Sequence, residues 1–527
     1  MKKIKLFLSV VLFTSFFNSC EDAYKIEQDG EFNEETITTV SGMQSYLNGI
    51  YAGVSIANEI SFSTIFTDEA GVGRGSGGQN FTTHRFILNS NEPAAAGIWY
   101  GKYNTINLVN RLLVIATQVP VPTEPSQLAT YNSILAQARA LRAFSYFQLL
   151  TFFSTDMSDN NALGVILTTD VNEISDRLPR TNNGPCFELI ESDLDYAFNN
   201  VVPNPVQHKY ISKSMIDALR ARMYLYRKNY PLAKQYALST IDNYGISLTQ
   251  SSAVPAGAAG TSSWNSSFYG GNTPNLYRRM WADLPVTSPP VRYEQIFSLD
   301  RPAAPATGWE NIASVFTTNT TNISGSPLWE VGRTLFNKMS ARPNDIRRYA
   351  NVDPTSLINA NYATDPNYLD TDVIVIDKYP GKTGAVLRND VKVFRLSEMY
   401  LILAECYAHE GNLNGSAAST AWAIKQIRDA RAFPVANNNT PLLSFANPTE
   451  AFSAIMDERH LELCFEGHRY IDIKRLGPLA NRSIERDATD DIIQNVLTIP
   501  NNDVRFTLPI PQAEINANPS IQRNPSN

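Results

Sequence analysis

The chain has 527 residues, 43% hydrophobic and 18% charged, enough to bury a large core and to fill more than one domain. A formal net charge of −7 without any basic block argues against nucleic acid as the main partner. Cys20, Cys186, Cys406 and Cys464 show no CxxC or CxH spacing, and His84, His208, His409, His460 and His468 show no paired-ligand spacing, which disfavours a disulfide framework and a zinc site.

Residues 1–19 read as a signal segment. Lys2, Lys3 and Lys5 precede an apolar run, Leu6 to Phe17, that is too short to span a membrane. The run ends at Phe17-Asn18-Ser19-Cys20, which resembles a bacterial lipobox with Phe17 and Asn18 in place of the usual Leu and Ala or Ser. Acylation of Cys20 would make it the mature N-terminus and anchor the chain without a transmembrane helix. Residues 20–40 then form the lipidated end and a polar tether. Cys186, Cys406 and Cys464 read as core thiols.

Helical periodicity predicts a helix over 41–57, with Met43, Leu47, Ile50, Tyr51 and Val54 on its apolar face. The glycine run Gly71 to Gly78 lacks the GKS/T ending of a phosphate loop and reads as a mobile loop. Residues 97–117 and 129–153 read as long helices, with Trp99, Tyr146 and Phe147 assigned to the core. Small residues between Ala136 and Phe147 allow neighbouring helices to pack closely. Residues 212–245 read as two amphipathic helices joined at Asn229-Tyr230. Their Ala218, Ala221, Tyr224, Ala233 and Ala237 give the small/aromatic alternation of a tetratricopeptide unit. A second such pair lies at 395–431.

Between the two pairs, residues 246–392 are rich in Ser, Thr, Asn, Gly and Pro, and contain Trp264, Trp281, Trp309 and Trp329. Long ordered loops in compact proteins are usually functional. The predicted fold is therefore mainly α, with tetratricopeptide-like helical repeats as a scaffold and one large irregular insertion. The scaffold comprises an N-terminal region, 41–245, and a C-terminal region, 393–527.

The most informative stretch is Phe452 to Gly477. Asn447, Pro448 and Glu450 form a helix-start signal ahead of it. Phe452, Ile455, Met456, Leu463, Tyr470 and Ile473 fall on one helical face, which also carries Arg459 and Glu466. Charges on a buried face must be paired. A glycine at 467 inside a helix suggests another backbone passing close by.

Glu458, Arg459, Glu462, Leu463, Phe465, Glu466, Gly467, Arg469, Asp472, Arg475 and Gly477 together resemble the late signature of the SusD/RagB family, surface glycan-binding lipoproteins of Bacteroidetes. Four further stretches are similar to that family in order: Ala136–Phe147, Asn344–Arg348, Val391–Glu405, and Leu508–Pro519 followed by Gln522–Pro525, where Arg523 interrupts the usual Gln-Asn pair. The resemblance implies a curved helical platform under a loop-rich face and a TonB-dependent, SusC-type outer-membrane transporter as partner. It also implies that Glu21 and Asp22 act as a surface-export signal and that the Asp68-Glu69 pair precedes a variable loop contributing to the ligand site.

Glycan binding calls for flat apolar surface together with planar hydrogen-bonding groups in a largely pre-formed site. The candidates are Trp264, Tyr269, Trp281, Trp309 and Trp329 in the insertion, and Asp68, Arg74, Gln79 and Asn80 by the glycine loop. No cofactor is expected. Glu458, Glu462 and Glu466 read as salt-bridge scaffolding and not as a glycosidase pair, because nearby arginines lower carboxylate pKa values. The function expected is non-catalytic glycan capture at the cell surface, with peptide capture on the same architecture, or a surface hydrolase, as alternatives. On this reading Arg459→Ala harms folding, while Trp264→Ala leaves folding intact and weakens binding.

Overall fold

The computed structural model describes residues 36–525 apart from 174, 205–206, 252–253, 271–274, 288–289, 306–307, 318–326, 434–438 and 494–495. Cys20, the signal segment and most of the tether lie outside the described residues. Among the described residues, no helix is long and apolar enough to cross a membrane.

The N-terminal region is built from helices whose ends are marked in the sequence. The Thr39 hydroxyl accepts from the Gly42 N–H at 3.1 Å and starts α1 (Val40–Gly53), which buries Met43, Leu47 and Ile50. Helix α2 (Ala57–Phe66) follows. Pro93 and Pro125 open α3 (Pro93–Gln118) and α4 (Pro125–Phe153), with the Glu92 and Glu124 carboxylates capping them. Ala136, Ala138, Ala140 and Ala143 are fully buried on α4, and their small side chains let α3 and α5 (Asn183–Asn200) lie close against it.

The expected helix pairs are present. Ser212 and Asn229 cap α6 (Lys213–Tyr226) and α7 (Tyr230–Asp242). Ser419 caps the second helix of the other pair, α8 (Leu396–His409) and α9 (Thr420–Arg431). Although a long insertion separates the pairs in sequence, α7 packs directly on α8. Stacking of this kind is how helix pairs bury faces that a single pair leaves exposed.

The insertion contains only short elements, in keeping with its composition. Two antiparallel strand pairs stitch it to the scaffold. Strand β1 (Ala70–Val72) pairs with β3 (Trp329–Val331), with Gly71 opposite Glu330. Strand β2 (Gln295–Leu299) pairs with β4 (Val391–Arg395), with Gln295 opposite Arg395. The glycine run thus begins as a strand and not as a mobile loop. Gly73 is required there because a Cβ would collide with the Pro327 carbonyl.

The Phe452–Gly477 stretch is two helices, α10 (Pro448–Leu463) and α11 (Arg469–Ala480), where the periodicity predicts one. Asn447 caps α10 by accepting from the Glu450 N–H at 3.0 Å, and the Glu450 carboxylate accepts from the Ala446 N–H at 2.9 Å. The chain breaks at Phe465 and Gly467, with φ of 62° and 86°. A Cβ on Gly467 would lie 3.4 Å from the Ile60 amide nitrogen, so the close backbone the sequence suggests is that of α2.

The break aims the charges of α10 into a buried ionic network. Glu462 accepts from Arg395 Nη1 at 2.7 Å, Arg431 Nη2 at 2.7 Å and Arg347 Nη1 at 3.2 Å. Glu294, from the insertion, accepts from the same Arg395 at 2.6 Å and from Arg431 at 2.9 Å. Glu466 joins through Arg395 at 2.7 Å and Lys378 at 2.6 Å. Glu458 binds Arg342, Arg347 and Arg428. Arg459 is buried and pairs with Asp472 at 2.7 Å. Burial alone would raise the Glu458 and Glu462 carboxyls, yet the surrounding arginines hold both below the usual range. The network draws together the insertion, β4, α9 and α10. In it the signature residues serve the architecture.

Candidate functional site

The nine residues singled out for ligand binding divide by burial. Trp264, Trp281 and Trp329 are 2%, 0% and 1% exposed, so none of them offers a face to a sugar. Trp264 stacks on Phe268 with centroids 4.6 Å apart and leans on Tyr349. Trp281 lies among Lys378, Lys392 and Arg395, with the Lys378 ammonium 4.6 Å from its centroid, and so forms a cation–π wall of the buried network. Trp329 sits on β3 against the His84 ring. Polar flanking sequence suggested exposure for Trp264, but the short helices and strands of the insertion turn all three rings inward. The Tyr269 side chain lies outside the described residues.

Asp68 is also withdrawn from any ligand. It is fully buried and holds Arg469 through two bonds of 2.7 Å, a tie between α11 and the turn after α2. Its neighbour Glu69 has weaker partners, the Thr64 hydroxyl at 3.0 Å and the Phe465 N–H at 3.2 Å. The two carboxyls therefore move apart. Burial would raise Asp68, but Arg469 holds it well below the usual range, whereas burial pushes Glu69 up to about 8.

Burial likewise pushes Glu330 up to about 8 and Asp490 up to about 7. All three exceed the unfolded carboxyl range of roughly 4. Between the unfolded and folded values the native state holds more protons, so stability falls as pH rises. The depressed groups Asp68, Glu458 and Glu462 act in the opposite sense and lose their contribution only as pH falls below about 4. Burial holds His84, His460 and His468 below the usual imidazole range, so these groups add stability as pH rises toward 7. The melting temperature is therefore expected to decline from pH 7 to pH 8, where the raised carboxyls dominate. Thermal unfolding in buffers from pH 4 to 9 checks this, and a melting temperature that rises from pH 7 to 8 contradicts it.

Trp309, Arg74, Gln79 and Asn80 remain accessible. Arg74 pairs with Asp370 at 3.3 Å across exposed surface. Asn80 has φ of 57° and begins a short helix, Phe81–His84. Trp309 lies half-buried in a pocket of about 130 Å³ with Asn48, Tyr51, Lys209, Tyr210 and Asp300. None of Arg74, Gln79 and Asn80 lines it. The structure therefore does not gather the predicted residues into one site.

The Trp309 pocket is rigidly framed. Arg301, at the end of β2, donates to the Val54 carbonyl at 2.6 Å and to Glu310 at 3.1 Å, with its guanidinium carbon 5.9 Å from the Trp309 centroid. Tyr51 and Tyr210 meet edge to face at 5.5 Å. The Tyr51 hydroxyl donates to Gln137 Oε1 at 2.8 Å and accepts from the Ile211 N–H at 2.9 Å, which fixes the ring. Lys209 and Asp300 pair at 2.7 Å on the rim. The arrangement offers an aromatic face beside an amide, an ammonium and a carboxylate, which suits a polyhydroxylated ligand of low net charge.

Tyr51 appeared in the sequence only as part of an apolar helix face, and Tyr210, Lys209 and Asp300 carried no signal. They come from α1, the segment before α6 and the end of β2, and only the tertiary fold brings them together.

Comparison with known proteins agrees with this architecture. Residues 345–526 match the model of the SusD family. SusD-like protein P2 of Formosa agariphila is 23% identical over 99% of both chains. SusD-like protein P25 of the same organism is 36% identical over 24% of this chain and 22% of its own. A SusD superfamily protein from Bacteroides thetaiotaomicron, solved by crystallography, superposes with a TM-score of 0.71 at 22% identity, covering 93% of this chain and all of that one. A laminarin-binding SusD-like protein superposes with a TM-score of 0.65 at 20% identity, covering 92% of this chain and 99% of its own. The C-terminal sequence pattern, a relative aligned end to end and the fold agree: residues 345–526 carry the SusD family pattern, and the chain as a whole is similar to SusD-like proteins in sequence and fold.

Proposed function

We propose that the protein is a non-catalytic, carbohydrate-binding lipoprotein of the outer-membrane surface. Acylated Cys20 anchors it, and the Trp309 pocket captures an oligo- or polysaccharide for delivery to a TonB-dependent, SusC-type transporter. The observation that carries the reading is Trp309 itself. Of the insertion's four tryptophans it alone keeps part of its ring exposed, and it does so beside Tyr210, Asn48 and Asp300. A fold neighbour described as laminarin-binding supports the same ligand class. Asp300 is tied to Lys209 and works as a hydrogen-bond acceptor rather than a catalytic acid.

Affinity electrophoresis across a panel of neutral and acidic polysaccharides tests the reading. Retardation by at least one glycan is expected. Trp309→Ala is expected to weaken it about 10-fold or more while circular dichroism stays unchanged. Loss of the accessible ring removes stacking area without opening the core. Failure to bind any glycan while peptides are retained would move the assignment to peptide capture. Release of soluble product from the bound glycan would make the protein a hydrolase.

A further inference from the structure

The largest cavity among the pockets described is remote from Trp309. It measures about 450 Å³ and lies between the end of α4, the α6–α7 turn, α8 and α11. Its apolar wall comes from Met157, Leu225, Ile471, Pro478 and Leu479, with Tyr226 and Tyr230 beside them. A second cavity of about 310 Å³, lined in part by Asn501, Asn502 and Thr507, adjoins it. Thr155, Lys474 and Pro478 line both, so the Lys474 side chain faces the two cavities at once.

Each charge lining these cavities except Lys474 faces an opposite charge. Glu405 is taken by Arg475 at 2.6 Å, Asp503 by Arg505 at 2.7 Å, and Asp156 faces Lys228 at 4.0 Å. Lys474 forms no ion pair among the described residues. Its ammonium donates to the Ser154 carbonyl at 2.9 Å and to Thr507 Oγ1 at 3.3 Å. An ammonium has three N–H donors, so one is left for a ligand. Burial pushes this ammonium down to about 8, with Asp156 too weak a neighbour to offset it.

We infer that this double cavity is a second binding site, for an amphipathic organic carboxylate. Its apolar or aromatic body fills the larger cavity and its carboxylate takes the remaining N–H of Lys474. A carboxylate there forms a charge-assisted bond in a sheltered setting, whereas an uncharged analogue leaves the ammonium unpaired. Glycan capture at Trp309 does not enter the argument, and the two sites fail independently.

Isothermal titration of the full chain with octanoate, 4-hydroxycinnamate and the amide of 4-hydroxycinnamate tests the inference. Binding of one or both acids is expected, with the amide about 10-fold weaker or worse. Preference for octanoate identifies an aliphatic ligand, and preference for 4-hydroxycinnamate an aromatic one. Lys474→Met keeps the stem's volume and is expected to abolish acid binding, with its circular dichroism and its polysaccharide retardation unchanged. Should Lys474→Met unfold, the acid-against-amide comparison on the unaltered chain still decides. Equal binding of acid and amide, no binding of either acid at millimolar concentration, or undiminished acid binding by folded Lys474→Met overturns the inference.

Discussion

Glu462→Gln is expected to destabilise the protein by about 3–5 kcal/mol, the usual consequence of removing one partner from a buried ionic cluster. The substitution preserves shape and volume, so no cavity forms, and what is lost is a charge. Glu462 accepts from Arg347, Arg395 and Arg431, and all four side chains are 0–1% exposed. Glu294 and Glu466 remain, but each already has its own donors, so the guanidinium groups are left undercompensated in a medium that cannot solvate them. The effect should spread, because the network joins the insertion to the C-terminal helices. The measurement is the denaturation midpoint under fixed conditions, with Arg74→Ala as a surface control. The Arg74–Asp370 pair is 44% and 71% exposed, and its loss should cost no more than about 1 kcal/mol. If Glu462→Gln proves no more harmful than Arg74→Ala, the network is not what holds these segments together.

Trp264→Ala is expected to cost a further, independent 3–5 kcal/mol or about that, as for other large-to-small changes at buried aromatic positions. This reverses what the local sequence suggests. Trp264 lies in the run Thr261-Ser262-Ser263-Trp264-Asn265-Ser266-Ser267, polar enough to read as an exposed loop. It is instead on a short helix, Ser262–Tyr269, begun by the Thr261 hydroxyl, and its ring is buried against Phe268 and Tyr349. Deleting the ring leaves a hole that neighbours cannot close. Thermal unfolding should show a clear fall in midpoint. A folded Trp264→Ala variant of unchanged stability but reduced glycan binding would return this residue to the ligand site and displace Trp309.

The difference between Trp264 and Trp309 shows where sequence reading stops. Both are lone tryptophans in irregular stretches of the insertion, and neither flank says which ring is covered from the far side. Burial is decided by what the fold brings to the other side of the ring. For Trp264 that is Tyr349, and for Trp309 it is Tyr51, Tyr210 and an open rim. Asp68 shows the same limit. Its adjacent glycine run made it look like a ligand group, but its partner Arg469 lies 401 residues away.

What this sequence determined by itself was local and periodic. Helix caps at Thr39, Ser212, Asn229, Ser419 and Asn447 and the alanine-lined face of α4 follow from short-range rules, because capping and helical periodicity act within a turn or two. The family pattern was legible for the same reason, being carried by short contiguous segments. The tertiary structure alone decided that α10 and α11 break at Gly467 and which aromatic ring stays in water. It alone assembled the Glu294–Arg395–Arg431–Glu462 cluster and opened the Lys474 cavity. Each of these depends on contacts between segments tens to hundreds of residues apart, and the free energy of a buried charge or ring resides in those contacts rather than in its neighbours along the chain.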